Sequence, residues 1–144
     1  MYAYIWNRVK HLDDKIIELF ENSDVYTQKI INLISILEGD RLFFEFVFEV
    51  YREKVILGAN EISDFDLNVF FKNKEVQSEE VSKWVDNTKK RLGSLYCNFM
   101  MEANLLIFDN KKRIVKPIIL DIELERYLIE SGKQTLVKAI KGMS

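Results

Sequence analysis

Apolar residues recur every three to four positions along most of this chain, the spacing that places them on one face of an α-helix. The pattern predicts a series of helices, each preceded by a side chain that can accept a hydrogen bond from the first helical turn. These predicted N-caps are Asp13, Asp40, Ser63, Ser78 and Asp121. One proline and five glycines in 144 residues are too few for the many turns of an all-β fold. We therefore predict a mainly α protein.

Residues 41–57 form the segment with the most ambiguous pattern. Three phenylalanines alternate with other residues as they would on a β-strand, at Phe44, Phe46 and Phe48. Polar residues in the same segment recur with a helical spacing, at Arg41, Glu45, Glu49 and Arg52. A helix explains this polar spacing and a strand does not. We predict a helix that buries Phe43 and Phe46 and whose apolar stripe is widened by Phe44 and Phe48.

The most distinctive pattern lies at residues 78–117. It predicts a short helix capped by Ser78 and, after a tight turn, a second helix capped by Asp86 or Asn87. The apolar positions of the second helix form one face: Leu92, Leu95, Tyr96, Phe99, Met100 and Ala103. Its polar and basic positions are Asn87, Thr88, Lys89, Lys90, Arg91, Ser94 and Asn98. Such a helix can pack on the protein with one face and enter a DNA major groove with the other.

The hydrophobic period changes after Asn104, where two short apolar runs flank a polar turn. Residues 105–108 and 114–116 predict a β-hairpin whose tip holds the three cations Lys111, Lys112 and Arg113. A hairpin of this kind is a wing, which lays cations against the phosphate backbone or the minor groove. The predicted fold is therefore a small helical bundle followed by a winged-helix-like unit, that is, a helix-turn-helix plus a β-hairpin.

Charge is distributed unevenly along the chain. The net charge is -2, yet residues 86–116 carry seven basic and three acidic side chains. Cations in the first turn of a helix oppose its dipole, at a cost of about a few tenths of a kcal/mol that a purely structural helix usually avoids. The seven basic side chains include two basic clusters, Lys89-Lys90-Arg91 and Lys111-Lys112-Arg113. We interpret these clusters as a surface that binds duplex DNA with low sequence specificity. The alternative is that both are ordinary clusters of solvated side chains.

The chain is predicted to contain two domains. Gly58 to Asn60 is interpreted as a linker between a helical bundle at 1–58 and the DNA-binding unit at 59–144.

Several functions lack the residues they need. One cysteine and one histidine cannot form an intramolecular disulfide or the usual zinc sites, and they offer no convincing Ser/His/Asp set. We interpret Cys97 as an inert thiol and His11 as a surface or packing residue. The chain has no Gly-rich phosphate loop, no basic N-terminal signal with an apolar core, and no apolar run long enough to span a bilayer. We predict a cytoplasmic protein that is not an enzyme and has no cofactor.

Short motifs along almost the whole chain resemble the BrxA family of BREX bacteriophage-exclusion systems. The most specific is Trp84-Val85-Asp86-Asn87-Thr88, a W-x-D/N-x-T segment that leads into the second helix. The other motifs are Tyr26-Thr27-Gln28-Lys29, Glu38-Gly39-Asp40-Arg41-Leu42, Asp64-Phe65-Asp66, Phe70-Phe71, Glu102-Ala103-Asn104-Leu105-Leu106, Lys116-Pro117 and the region 128–132. The resemblance implies a small, helical, non-enzymatic and cytoplasmic component of a phage-defence operon that binds DNA. It also implies other BREX proteins as partners and a further N-terminal helical segment, which we expect to be missing ahead of Tyr2.

Two alternatives to DNA binding stay open at this point. The first is a protein-interaction scaffold that holds defence components together through the helix at residues 43–51 and the N-terminal aromatic residues. The second is an RNA-binding helical bundle of the antitermination-factor kind. The sequence leaves the oligomeric state open, a homo-oligomer included.

Overall fold

The computed structural model describes residues 13–144, and within them it has eight helices and one two-stranded antiparallel sheet. The helices are α1 (Asp14–Glu21), α2 (Val25–Gly39), α3 (41–57), α4 (Asp64–Gln77), α5 (Glu79–Ser82), α6 (Asp86–Glu102), α7 (Ile122–Glu130) and α8 (Gln134–Lys141), and the strands are β1 (Leu106–Asp109) and β2 (Lys112–Val115). The prediction of a mainly α protein with a hairpin is confirmed. The predictions for the N-terminal aromatic residues and His11 fall outside the described range.

Side-chain caps begin most of these helices, as the sequence predicts. All five predicted caps are confirmed, each accepting a hydrogen bond from a backbone N–H of the first turn: Asp13, Asp40, Ser63, Ser78 and Asp121. Ser63 also forms a capping box, because its own backbone N–H donates to Asp66 at 2.8 Å. The cap of α6 was predicted wrongly: Val85 is the N-cap residue and makes no side-chain bond, while Asp86 is already inside the helix.

One continuous cluster of buried side chains forms the core of the described residues, with members both before and after residue 58. Aromatic rings from three helices meet at its centre. The ring of Tyr96 on α6 lies 5.0 Å from Phe43 and 5.6 Å from Phe46 of α3, and Phe46 lies 5.1 Å from Phe70 of α4. Such pairs contribute about 0.5–1.5 kcal/mol each beyond the area they bury. The predicted domain boundary after residue 58 coincides with the end of α3, where Gly58 has a φ of 72°. The division of the chain into two domains stays a prediction.

Helix α3 is not a uniform α-helix. Its ends, Arg41–Phe46 and Arg52–Leu57, are α-helical, whereas Val47–Tyr51 between them is π-helical, with a wider turn closed by i→i+5 hydrogen bonds. The sequence pattern predicts the helix but not this segment. Tyr51 at its end is fully buried, and its hydroxyl donates to the backbone carbonyl of Lys116 at 2.9 Å. The π segment thereby joins the first half of the chain to the segment that follows the hairpin.

A buried lysine links α3 to α4. Lys74 is only 3% exposed, and its ammonium group donates to Glu45 and Glu49 of α3, both at 2.6 Å, and to Gln77 at 3.2 Å. Burial alone would lower the pKa of Lys74, but the bonds to the two carboxylates outweigh it and raise the pKa. Burial likewise acts to raise the pKa of Glu45, and the bonds from Lys74 and Arg41 lower it overall. Lys74 and Glu45 are therefore both charged at neutral pH.

We predict that Lys74→Ala lowers the free energy of unfolding by roughly 1–2 kcal/mol, because it removes the shared cation of two carboxylates that are only partly exposed to water. Urea unfolding measures the change. Lys72→Ala is the matched control, since Lys72 is exposed on the same helix and has no ion pair within residues 13–144. Lys72→Ala should lower the free energy of unfolding by less than about 0.5 kcal/mol. Equal losses in the two variants would contradict the structural role of Lys74.

The same cluster predicts how stability depends on pH. Because the pKa of Glu45 is lowered from 4.5 in the folded state, its contribution is present above that value and is lost as pH falls through the lower, folded pKa. Because the pKa of Lys74 is raised from 10.5, its contribution is present below that value and is lost as pH rises through the higher, folded pKa. In urea unfolding across pH, the contribution of Glu45 and Lys74 to the free energy of unfolding should be constant between these two ordinary values. In Glu45→Gln the acid-side loss should be smaller, and an unchanged acid limb would contradict this assignment.

Candidate nucleic-acid interface

Helix α6 is positioned by a close approach to α4. Gly93 is buried at the contact, and a Cβ atom placed there would lie 3.3 Å from a methyl group of Leu67 and 3.5 Å from the ring of Phe71. Tyr96, Cys97 and Met100 continue this buried face along the helix. The core-facing side of α6 is therefore fixed, and its opposite side is turned to solvent.

Six of the seven predicted contact residues on α6 surround one open groove on its outer face, of about 610 Å³: Asn87, Thr88, Lys90, Arg91, Ser94 and Asn98. Lys90 and Arg91 are exposed, and neither has a carboxylate within 4.0 Å in the described part of the chain. Leu95 also lines this groove and is 43% exposed, so its predicted inward position is wrong. The reason is that the buried stripe of α6 is narrower than predicted and is centred on Gly93, Tyr96, Cys97 and Met100.

A second groove, of about 650 Å³, runs between α4, α6 and the hairpin. It is lined by four of the predicted contact residues, Lys89, Lys90, Ser94 and Arg113, and two of them, Lys89 and Arg113, form ion pairs within the protein. Lys89, whose side chain is 13% exposed, pairs with Glu75 of α4. Arg113, whose side chain is 21% exposed, pairs with Asp64 at 3.0 Å. The structure thus separates the predicted cations into a paired group and an unpaired group.

The hairpin closes with a two-residue turn, Asn110-Lys111, between the paired residues Asp109 and Lys112. Both turn residues have positive φ, 49° and 62°, as a type I′ turn requires. Lys111 is therefore in the turn, whereas Lys112 and Arg113, predicted at the tip, belong to β2. Lys111 and Lys112 are exposed and have no ion pair among residues 13–144.

The two faces of the hairpin differ. Cross-strand partners share a face, so Arg113 lies on the same side as Phe108, and Lys112 lies on the opposite side with Asp109. Arg113 lines the groove beside α6, which places Phe108, 62% exposed, on that side as well. The sequence pattern gave no role to this exposed ring.

A third extended segment anchors the hairpin. Residues 60–62, immediately before α4, pair with β2: the N–H of Val115 donates to the carbonyl of Asn60 at 2.9 Å, and the N–H of Ile62 donates to the carbonyl of Arg113 at 3.0 Å. On the other side, β1 follows α6 directly after Asn104, whose φ is 67°. The hairpin is therefore fixed relative to both α4 and α6.

Sequence reasoning missed the acidic and basic side chains that α4 contributes to the second groove. Asp64, Asn68, Lys72 and Glu75 all line it, at spacings of four, four and three residues. These are the spacings of one helical stripe, so the signal was present in the sequence. The spacing alone does not indicate a function for these residues. Their role depends on the packing of α4 beside Lys89 and Arg113, which only the folded structure shows.

Other site chemistry is limited in the described residues. Cys97 is a free, buried cysteine, and burial raises the pKa of its thiol to about 11, which keeps it protonated and unreactive. Within residues 13–144 no group of three or more His, Cys, Asp or Glu side chains could hold a metal ion. No helix in the same range is both long enough and apolar enough to cross a membrane.

Comparison with known proteins gives three findings. The family model for BrxA matches residues 1–132. A curated relative, the "BREX protein BrxA" of Bacillus cereus (strain H3081.97), is 38% identical over 135 residues, which are 94% of this chain and 68% of that protein. The crystal structure of an uncharacterized protein from Magnetospirillum magneticum superposes with a TM-score of 0.80 over 94% of this chain and 71% of that chain, at 16% identity. The last match shows that the fold occurs in a solved structure.

The turn of the hairpin generates a stability prediction. Lys111 has the left-handed conformation that favours glycine, so Lys111→Gly should raise the free energy of unfolding by about 0.5–1 kcal/mol. Lys112→Gly removes the same charge from the next residue, but there glycine weakens a strand and should lower stability by about 0.5–1 kcal/mol. Urea unfolding of the two variants should show effects of opposite sign. Destabilisation by both would show that the turn does not strain Lys111.

Proposed function

The chain belongs to the BrxA family of BREX phage-defence proteins, and on that premise we propose that it binds duplex DNA through α6 and the hairpin, with low sequence specificity. In this proposal it acts in the cytoplasm, without catalysis, together with other proteins of the defence system. The family membership supports a role within a BREX defence system. The DNA-binding role is supported by the surface described above.

One observation carries the proposal: four exposed cations without carboxylate partners among the described residues occur on α6 and the adjoining hairpin of a chain whose net charge is -2. They are Lys90, Arg91, Lys111 and Lys112. Unpaired Lys and Arg side chains at a surface are available to phosphate oxygens. When they neutralise phosphates, counterions are released from the DNA, and this release supplies most of the non-specific affinity. The left-handed Lys111 adds weight, because a non-glycine residue in a strained turn points to a role outside folding.

The order of the elements also supports this role. Residues 60–62, α4, α5, α6, β1 and β2 follow one another as the strand, helices and wing of a winged helix do, with α6 in the place of the recognition helix. Asn87, Thr88, Ser94 and Asn98 supply hydrogen-bonding groups on the exposed face of that helix. Asn side chains can read adenine, but the cations carry no base information, so we propose sequence-tolerant binding.

In this proposal the ten predicted residues have two kinds of role. Those around the outer groove of α6, together with Lys111 and Lys112, contact the DNA. Lys89 and Arg113 instead hold α6 and β2 against α4 through their ion pairs with Glu75 and Asp64.

The scaffold alternative rests on Phe44 and Phe48 of α3. Both rings are half-buried, and they stack on each other with centroids 5.7 Å apart. Arg41 lies over Phe44 at 5.2 Å and Arg52 lies over Phe48 at 4.0 Å. These rings are thus partly covered by the protein's own side chains, which favours the DNA-binding role over this one.

A salt titration of binding to a fluorescent DNA duplex tests the proposal. Affinity should fall steeply with salt, and Lys90→Ala or Lys112→Ala should each reduce the log–log slope by about 1, because each removes one phosphate contact. The loss should be nearly uniform across DNA sequences.

The matched control is Lys138→Ala, which removes an exposed cation of α8 outside both grooves and should leave the slope unchanged. An unchanged slope in the Lys111→Ala/Lys112→Ala double variant would remove the hairpin from the interface. Competition by structured RNA better than by duplex DNA would favour the RNA-binding alternative.

A further inference from the structure

We infer that Asp64 and Glu75 of α4 act as intramolecular phosphate mimics, which keep Arg113 and Lys89 away from DNA and so limit the affinity of the interface. The inference rests on the proposed DNA-binding function and deepens it. It assigns a regulatory role to a helix that makes no predicted DNA contact.

The geometry of the second groove supports this role. The carboxylate of Glu75 contacts the Lys89 ammonium group, and the carboxylate of Asp64 accepts a bond of 3.0 Å from the Arg113 guanidinium group. Arg113 also donates to the carbonyl of Ile62 at 3.4 Å. Carboxylate and phosphate oxygens make the same charge-assisted hydrogen bonds with Lys and Arg. Each carboxylate therefore competes with a phosphate for the same cation.

The two carboxylates occupy opposite ends of the groove. Asp64 and Glu75 are eleven residues apart on one face of α4, which separates them by roughly 16 Å along the helix axis. One faces the hairpin and the other faces the first turns of α6. The ion pairs thus engage the innermost cation of each DNA-binding element, while the outer cations Lys90, Lys111 and Lys112 stay exposed.

The charge of the groove changes sharply when these acids are removed. Its described lining contains four cations, Lys72, Lys89, Lys90 and Arg113, and three carboxylates, Asp64, Glu75 and Asp86. Neutralising Asp64 and Glu75 would leave one carboxylate against four cations. The groove lies directly beside the outer face of α6, and Lys90 and Ser94 line both. DNA held by α6 would therefore be within reach of the released side chains.

The test uses Glu75→Gln and Asp64→Asn, which keep side-chain size and remove the charge. Each should raise the association constant for duplex DNA about three- to ten-fold at low salt, and should steepen the log–log salt slope by about 0.9 because one more phosphate is contacted. The double variant should gain both effects. Thermal melts verify that each variant is folded, since Asp64 lies in the first turn of α4.

Two controls separate the release of a cation from a general gain of positive charge. Glu130→Gln removes an exposed carboxylate of α7 outside the groove and should leave affinity and slope near wild type. Lys89→Gln combined with Glu75→Gln completes a double-mutant cycle. If Glu75 acts by holding Lys89, the gain from Glu75→Gln should disappear when Lys89 is absent.

The outcomes are distinguishable. The inference is overturned if Glu75→Gln still raises the association constant when Lys89 is replaced by Gln, or if Glu130→Gln raises it equally. Either result leaves the proposed DNA binding intact. A wild-type protein and a Glu75→Gln variant that both fail to bind duplex DNA at low salt overturn the proposed function itself. A steeper slope in Glu75→Gln that depends on Lys89 supports both.

Discussion

The packing of Tyr96 against rings from two other helices is the contact on which the rest of the structure depends. It joins α6 to Phe43 and Phe46 of α3, and its ring also lies 6.5 Å from Phe71 of α4. With Tyr96 2% exposed, α6 has one rotational setting about its axis. Every polar residue on the opposite side of the helix is thereby directed to solvent. The surface chemistry of this protein is a consequence of an aromatic core that fixes which way one helix faces.

Local rules predicted much of this fold because they depend on few neighbours. A cap such as Asp40 needs only the three residues after it, and the period change after Asn104 is visible in the sequence alone. The π segment of α3 was not predictable in this way, because its apolar and polar spacing fits an α-helix. The start of α6 was misplaced because two good capping residues, Asp86 and Asn87, follow the true cap position at Val85.

In the candidate site, too, the features that depend on neighbouring residues were predictable and those that depend on residues far along the chain were not. Helical periodicity was sufficient to group the polar residues of α6 around one groove. It could not indicate that Lys89 and Arg113 have partners on α4, because those pairs join residues 14 and 49 positions apart. Cations that look equivalent in a sequence therefore differ once the chain is folded. The difference is set by which helix packs beside them.

The anchoring of the hairpin has a consequence for motion. Its base is bonded on one edge to residues 60–62, and the carbonyl of Lys116 just beyond it accepts the buried Tyr51 hydroxyl. The two turn residues, Asn110 and Lys111, are the part of the hairpin that lies outside the paired strands. A hairpin constrained in this way is already ordered, so that the proposed DNA binding would restrict little more than the rotamers of its lysine side chains. Such preorganisation allows a surface with few charges to bind without the entropic cost of ordering a loop.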